Sequence, residues 1–231
     1  VRVALANGAT GQVLGTWTSP SIAANSALQV PITTVETALP TGTAKPSFYS
    51  AVIRSSMTGY IQHVLYRPAD GTLTNLSTCD SGVTANATQV ASVHSSILDF
   101  GFPSSITLTS SSASSSTATL GIYDANNGTK LGTFTSASMP RDGQLQVSVA
   151  SIQSNLGITP TPNVQYHYVV KVENSFRGTL QHLVNNLQAG VITDMTTNCA
   201  FGTVSPAPST VAMRQPGPIF SSAQTASQSF L

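Results

Sequence analysis

Two stretches of the sequence place a histidine where it could take part in chemistry. GYIQHVL, residues 59–65, and GTLQHLV, residues 178–184, each carry a Gln-His pair, and a recurring histidine is a natural candidate for a metal ligand or a general base. The alternation of a β-strand puts His63 on the same face as two aliphatic side chains, and His182 has the same setting. Because an unpaired buried polar group costs about 1–3 kcal/mol, we expect each imidazole to be a core residue that is bonded to a carbonyl or a hydroxyl group.

The surroundings of these histidines supply neither a metal site nor a catalytic site. A metal ion would need further His, Cys, Asp or Glu ligands. The two remaining histidines, His94 and His167, lie outside both stretches and do not correspond to each other or to any other histidine of the chain. No shared nucleophile or acid lies beside either Gln-His pair, as general base catalysis would require. We therefore predict no catalytic, metal-binding or cofactor-binding residues and no enzyme activity, since an enzyme would need a cleft with convergent polar groups.

The composition indicates a folded chain whose surface is polar but carries few charges. Charged residues are 7% of the 231 residues and hydrophobic residues are 40%, whereas ordinary soluble domains are about 25% charged. A net charge of +1 without a basic cluster argues against nucleic-acid binding, and no apolar run approaches the roughly 20 residues of a membrane-spanning helix. The Ser/Thr-rich, low-charge composition favours an extracellular or cell-surface location, and the start at Val1 suggests a processed or excised part of a precursor.

The chain contains an internal repeat that spans most of its length. GQVLGTWTSPSI at 11–22 matches GTKLGTFTSASM at 128–139, and the similarity continues through the Gln-His stretches to NLSTC and DMTTNC. Such self-similarity predicts two related domains in tandem. Trp17 aligns with Phe134, so both aromatic rings are expected to lie in the core.

Each repeat has the pattern of a β-sandwich with one short helix. Apolar residues alternate over short runs that end in Gly, Asn or Asp, as strands do, while Ile32, Val35 and Leu39 have helical spacing. The predicted fold is all-β, with two tandem antiparallel Ig-like or fibronectin-like sandwiches, each with one helical turn. The predicted boundaries are 1–82 for the first domain, 83–103 for a linker, 104–202 for the second domain and 203–231 for an extended tail.

The register of the repeats leaves the first domain short of one strand. Val1 aligns with Ala118, so the strand and Ser-rich turn at 104–117 have no counterpart ahead of it. A sandwich that lacks an edge strand exposes an unpaired ladder, to which a strand from another molecule can add.

The C-terminal residues have the sequence of such a missing strand. Ser229, Phe230 and Leu231 resemble the start of the strand at 105–107, which makes them the candidate assembly strand. Head-to-tail donation would build a filament from a non-closing contact. Two other readings are open: the chain is a window from a longer array whose neighbouring repeats supply the strand, or the first domain is simply shorter.

Cys79 and Cys199 occupy equivalent places at the ends of the two repeats. A bond between them would require the domains to pack with two-fold-like symmetry, because bridged Cα atoms are no more than about 7 Å apart. Free buried thiols, a bond to another chain and the internal disulfide all remain open.

The outer face of the first Gln-His strand has a different composition. Tyr60, Gln62 and Tyr66 share this face, and exposed tyrosines can stack on a sugar ring. These residues are the candidate glycan contacts of an alternative function, a carbohydrate-binding module of a secreted protein.

Two longer patterns resemble a known module. LGTWTSPSIAANSALQVP, followed by MTGYIQHVLYRPADGTLTNLSTC at 57–79, is similar to a β-sandwich module of tandemly repeated secreted or surface proteins of bacteria, which has no assigned activity. The resemblance supports an extracellular location and a repeated architecture. Together with the missing strand, it predicts an extracellular structural or adhesive protein, a subunit of a surface filament or layer. Its expected partners are copies of itself or neighbouring repeats of a longer chain, with surface glycans as the alternative.

Overall fold

The computed structural model describes residues 1–54, 61–77, 89–162, 167–196, 213–224 and 228–231. In these ranges the strands form four antiparallel sheets, and α-helix is confined to two short segments, which confirms the predicted all-β class. The strands are β1 (Arg2–Asn7), β2 (Val13–Thr18), β3 (Phe48–Arg54), β4 (Val64–Arg67), β5 (Thr72–Asn75), β6 (Gln89–His94), β7 (Ser104–Ser110), β8 (Thr119–Asp124), β9 (Lys130–Thr135), β10 (Gln144–Ser148), β11 (His167–Val172), β12 (Gly178–Asn186), β13 (Val191–Asp194), β14 (Met213–Phe220) and β15 (Gln228–Phe230). The helices are α1 (Ile32–Val35) and α2 (Val149–Leu156).

Repeat two, which we define by residues 89–196, is a sandwich of two four-stranded sheets. Sheet C has the order β6-β11-β8-β9, and sheet D has the order β10-β7-β12-β13. Their inner faces enclose one buried apolar cluster, to which sheet C contributes Leu120, Ile122 and Val170 and sheet D contributes Ile106 and Leu108. Strand β6 lies within the segment that the sequence analysis assigned to a linker, and it pairs with β11.

Repeat one, which we define by residues 1–77, has the same plan but borrows strands from the C-terminus. Sheet A has the order β14-β3-β1-β2 and sheet B has the order β15-β4-β5. The core cluster contains Val3, Leu5, Tyr49 and Ile53, together with Ile219 from β14. Two strands of this repeat therefore come from residues 213–231, which we call the C-terminal segment.

Local sequence explains the short helices and the turns. In repeat two, the Ser148 hydroxyl accepts a hydrogen bond from the Ser151 N–H at the start of α2, and Gly157 ends the helix with φ at 65°. In repeat one, the helix begins after Pro31, whose fixed φ suits a helix start. Helix α1 begins at Ile32, where the helical spacing predicted it, and α2 occupies the equivalent place in repeat two.

No helix in the described part of the chain is long and apolar enough to cross a membrane.

Candidate functional site

The two repeats are completed in the same way by two different segments. In repeat two, β6 pairs with β11 and β7 pairs with β12, all antiparallel. In repeat one, β14 pairs with β3 and β15 pairs with β4, also antiparallel. Residues 213–231 thus do for repeat one what residues 89–110, which we call the inner segment, do for repeat two. Residues 228–230, which include Ser229 and Phe230 of the candidate assembly strand, pair with β4 of their own chain.

Strand pairing fixes which residues of the two segments correspond. Ser229 lies opposite Leu65 in repeat one, and Ser104 lies opposite Val184 in repeat two. Because Leu65 and Val184 follow the Gln-His pairs at the same distance, Ser229 corresponds to Ser104. The sequence comparison had aligned Ser229 with Ser105, one residue later.

Each of these two serines forms a hydrogen bond with the buried histidine of a Gln-His pair. The Nε2 atom of His63 lies 3.1 Å from the Ser229 hydroxyl, and that of His182 lies 2.8 Å from the Ser104 hydroxyl. Both imidazoles are fully buried. Each hydroxyl also accepts a second hydrogen bond, from a backbone N–H of the segment to which its serine belongs. In the C-terminal segment, the Phe220 N–H donates to Ser229 over 3.0 Å. Each histidine therefore holds a strand of the C-terminal segment or of the inner segment, and we call each His–Ser pair a latch.

A second contact holds each segment two residues after the end of its first strand. In repeat one the Ser222 N–H donates to the Glu36 carboxylate over 2.9 Å, and Tyr49 donates to the same oxygen over 3.1 Å. Lys45 reaches both the other Glu36 oxygen and the Ser222 hydroxyl, at 2.8 and 2.7 Å. Hydrogen bonds to charged groups are about twice as strong as neutral ones, so this contact adds strength to the seating of the C-terminal segment.

Repeat two makes the corresponding contact without a charge. The Gln153 side chain accepts from the Ser96 N–H over 3.3 Å and donates to the Tyr168 hydroxyl over 2.6 Å. Gln153 thus takes the place of Glu36, and Ser96 takes the place of Ser222. We call the region where a repeat contacts its segment, the C-terminal segment in repeat one and the inner segment in repeat two, a joint. The two joints share their geometry and differ in their charge.

Burial and hydrogen bonding shift the pKa values at the joint in repeat one. Burial lowers the pKa of His63 to about 4, so the imidazole is neutral at pH 7. Burial alone would raise the pKa of Glu36, but the bonds from Lys45, Ser222 and Tyr49 outweigh it and lower that pKa. The pKa of Tyr49 is raised by its own burial and by the neighbouring Glu36. The joint therefore holds a neutral imidazole and an ionised carboxylate.

The two repeats meet at a junction that the C-terminal segment also contacts. We define the junction cluster as Leu65 and Leu76 from repeat one, Leu183 and Ile192 from repeat two, and Phe220 from β14. Polar contacts surround it: the Gln181 amide donates to the Leu76 carbonyl over 2.9 Å, the Gln144 N–H donates to the Gly8 carbonyl over 2.6 Å, and Arg67 donates to the Ala189 carbonyl.

The remaining residues singled out from the sequence have varied positions. Trp17 and Phe134 are half-buried and pack against the cores of their repeats. Tyr66 is half-buried, with its ring edge-to-face against Phe230 at 6.4 Å between centroids, and Gln62 is exposed. The predictions for Cys79, Cys199 and Tyr60 lie outside the described residues.

Glu36, Ser104 and Ser222 were not singled out from the sequence. A weak signal was present, because VHSS at 93–96 and IFSS at 219–222 share their pattern, and Ser104 and Ser229 follow them after similar distances. Matching these short stretches would have paired the two donor segments.

Within the described ranges, no group of three or more His, Cys, Asp or Glu residues could hold a metal ion. His94 and His167 lie opposite each other on β6 and β11, with ring centroids 5.3 Å apart, and His182 lies 6.3 Å from His94. What the described joints do chemically is bind an extended segment through a strand ladder, a His–Ser latch and a buried side-chain contact. Comparison of the chain with protein-family models, curated proteins and solved structures finds no match.

Proposed function

We propose that this protein is an extracellular structural or adhesive subunit of a bacterial surface filament or layer, assembled head to tail by exchange of its C-terminal segment. The observation that carries the proposal is the repeat-one joint. Its two strands come from a segment far away in the sequence, and they occupy the places that the inner segment fills in repeat two. The low-charge, Ser/Thr-rich composition supports the location.

Exchange between copies needs no contact that the single chain does not already make. A C-terminal segment from a second copy would form the same ladder, the same latch from Ser229 to His63 and the same bonds from Ser222 to Glu36. This is the route by which domain swapping gives oligomers at low cost. Because the donor end and the acceptor end are different surfaces, each added copy leaves one of each free, and the assembly stays open.

The test compares the full chain with a chain that ends before Thr203. Both are purified from concentrated samples and followed by light scattering on a sizing column and by negative-stain electron microscopy. We expect linear assemblies from the full chain and none from the shortened chain. Assemblies of equal length from both would refute strand exchange.

A second experiment keeps the full chain and so does not depend on the folding of the shortened one. A synthetic peptide of residues 213–231 is added in excess, with the same peptide carrying Ser229→Ala as the matched control. The wild-type peptide should occupy repeat one and shorten the assemblies, and the control peptide should do so less effectively. No effect of either peptide on assembly length would count against the proposal.

A further inference from the structure

One face of repeat two is covered by the end of repeat one. On the outer face of sheet D, Gln181, Leu183 and Thr107 are buried, with at most 2% of each exposed. The covering end carries Leu76, which is fully buried, and the turn that begins at Gly8. At this internal junction, the end of repeat one covers the outer face of sheet D in repeat two.

The equivalent face of repeat one is exposed, and no other part of the described chain is packed on it. Gln62 corresponds to Gln181 and Leu73 corresponds to Ile192, by their positions relative to the Gln-His pairs and on the following strand. Gln62 is exposed and 64% of Leu73 is exposed. Leu73 lies opposite Tyr66 on this face of sheet B, so the face is both open and apolar.

The equivalent end of repeat two is also open. Met195 corresponds to Leu76, because each donates its N–H to the carbonyl of the Gln-His histidine over 2.9 Å. Leu76 is fully buried, whereas 40% of Met195 is exposed. Ala125, which corresponds to the buried Gly8, is exposed as well.

A third pair of equivalent residues follows the same rule. Asp142 and Asn25 both have φ at 60°, each at the same place in its repeat. Asp142 is 7% exposed beside the internal junction, and Asn25 is exposed in repeat one. In each of these pairs the member at the internal junction is buried and its counterpart is exposed.

The internal junction is heterologous, since it joins the end of one repeat to the face of the other. A two-fold contact between the repeats would bury Gln62 against Met195 in the same way as Gln181 is buried against Leu76. Because both Gln62 and Met195 are exposed, the contact is not two-fold. Heterologous contacts that do not close extend without limit. Each copy therefore carries both an open face and an open end, and the open end of one copy can pack on the open face of another.

We infer that the outer end of repeat two, centred on Met195, docks on the sheet B face of repeat one of a second copy, centred on Gln62 and Leu73. This docking repeats the internal junction, so the Gln62 amide donates to the Met195 carbonyl of the next copy. The inference deepens the proposed function, because it names the surface that copies share in addition to the exchanged segment. It also accounts for the Gln of the Gln-His pair, which is a docking residue in both repeats.

The test uses full-length chains with Leu73→Glu or Met195→Glu. Both side chains are exposed in the single chain, so neither substitution should disturb folding, which circular dichroism checks. Val13→Glu is the matched control, because Val13 is 53% exposed on β2 and lies outside the inferred docking surfaces. Sedimentation velocity then measures self-association over a range of concentrations. We expect each docking variant to raise the dissociation constant about 10-fold or more, since a charge would replace an apolar contact, and the control to behave as wild type.

The outcomes separate this inference from the proposed function. If both docking variants associate like wild type while deletion of 203–231 prevents association, the docking surface is wrong and strand exchange stands. If the docking variants prevent association and the deletion does not, strand exchange is wrong and the docking surface stands. A wild-type chain that stays monomeric at every concentration, or that binds glycans through this face instead, would overturn the docking inference.

Discussion

Acid should loosen the joint between repeat one and the C-terminal segment through the protonation of His63. This imidazole is fully buried, its Nε2 atom bonds to the Ser229 hydroxyl, and burial alone lowers its pKa to about 4. In the unfolded chain the same group titrates near its ordinary value of about 6.5. The folded state therefore binds fewer protons than the unfolded state between these two values, and it loses stability as the pH falls.

The size of the effect follows from the two pKa values. One pKa unit corresponds to about 1.4 kcal/mol, so the full shift is worth about 3 kcal/mol once the pH is below 4. The contribution is complete above pH 6.5, and linkage predicts that about 2 kcal/mol of it is lost between pH 7 and pH 5. This is a large fraction of the about 5–15 kcal/mol that stabilises a typical domain.

The assay is urea unfolding of the wild-type chain and of His63→Gln at pH 7 and pH 5. The other titrating groups are common to both proteins and cancel in the comparison. The free energy of unfolding of the wild type should fall by about 2 kcal/mol more than that of the variant. Equal losses in the two proteins would show that His63 is accessible to protons in the folded state, and would refute its burial behind the donor strand.

Three further substitutions test other parts of the joint and the junction. Ser229→Ala should lower the free energy of unfolding by about 1–3 kcal/mol, because it leaves a buried imidazole nitrogen without its partner. Ser221→Ala in the same segment is the control with little effect, since that buried hydroxyl has no hydrogen-bond partner among the described residues. Gly11 and Gly128 hold φ at 68° and 73° in equivalent turns, so alanine at either should cost about 1–2 kcal/mol. Only at Gly11 would the new Cβ also overlap a carbonyl group of the other repeat, so that variant should be clearly the less stable in urea; equal stabilities would argue against the junction. Glu36→Gln should weaken the seating of the C-terminal segment by about 1–2 kcal/mol, because neutral hydrogen bonds replace charge-assisted ones, and faster proteolytic release of the segment would report it.

The strand pattern was sufficient to predict the all-β class and the burial of the two histidines. Period-2 spacing places His63 and His182 with the aliphatic residues, and both are buried as expected. The same spacing puts Gln62 and Gln181 on the side opposite the histidines, where Gln181 is buried and Gln62 is exposed. The difference arises from a neighbouring repeat that covers only one of them, which strand periodicity does not report.

The residues that receive the donor segment were harder to predict, because their contacts join distant parts of the chain. Glu36 is one of few charged residues and belongs to a short helical segment, and nothing near it in the sequence indicates that it contacts Ser222. The sequence repeat did indicate that the C-terminus carries a spare strand. The exact partner of Ser229 depended on the turn before it, where the two donor segments differ in length and composition.

The C-terminal segment binds repeat one of its own chain, so binding within one chain competes with polymerisation. When the C-terminal segment is tethered to its own acceptor, the local concentration of that segment is on the order of millimolar. A free copy gains no advantage until the other copies reach a similar concentration. Dilute protein should therefore remain monomeric, with the C-terminal segment bound to its own repeat one. In a thin layer that holds many copies, the segments should exchange and join the copies to one another.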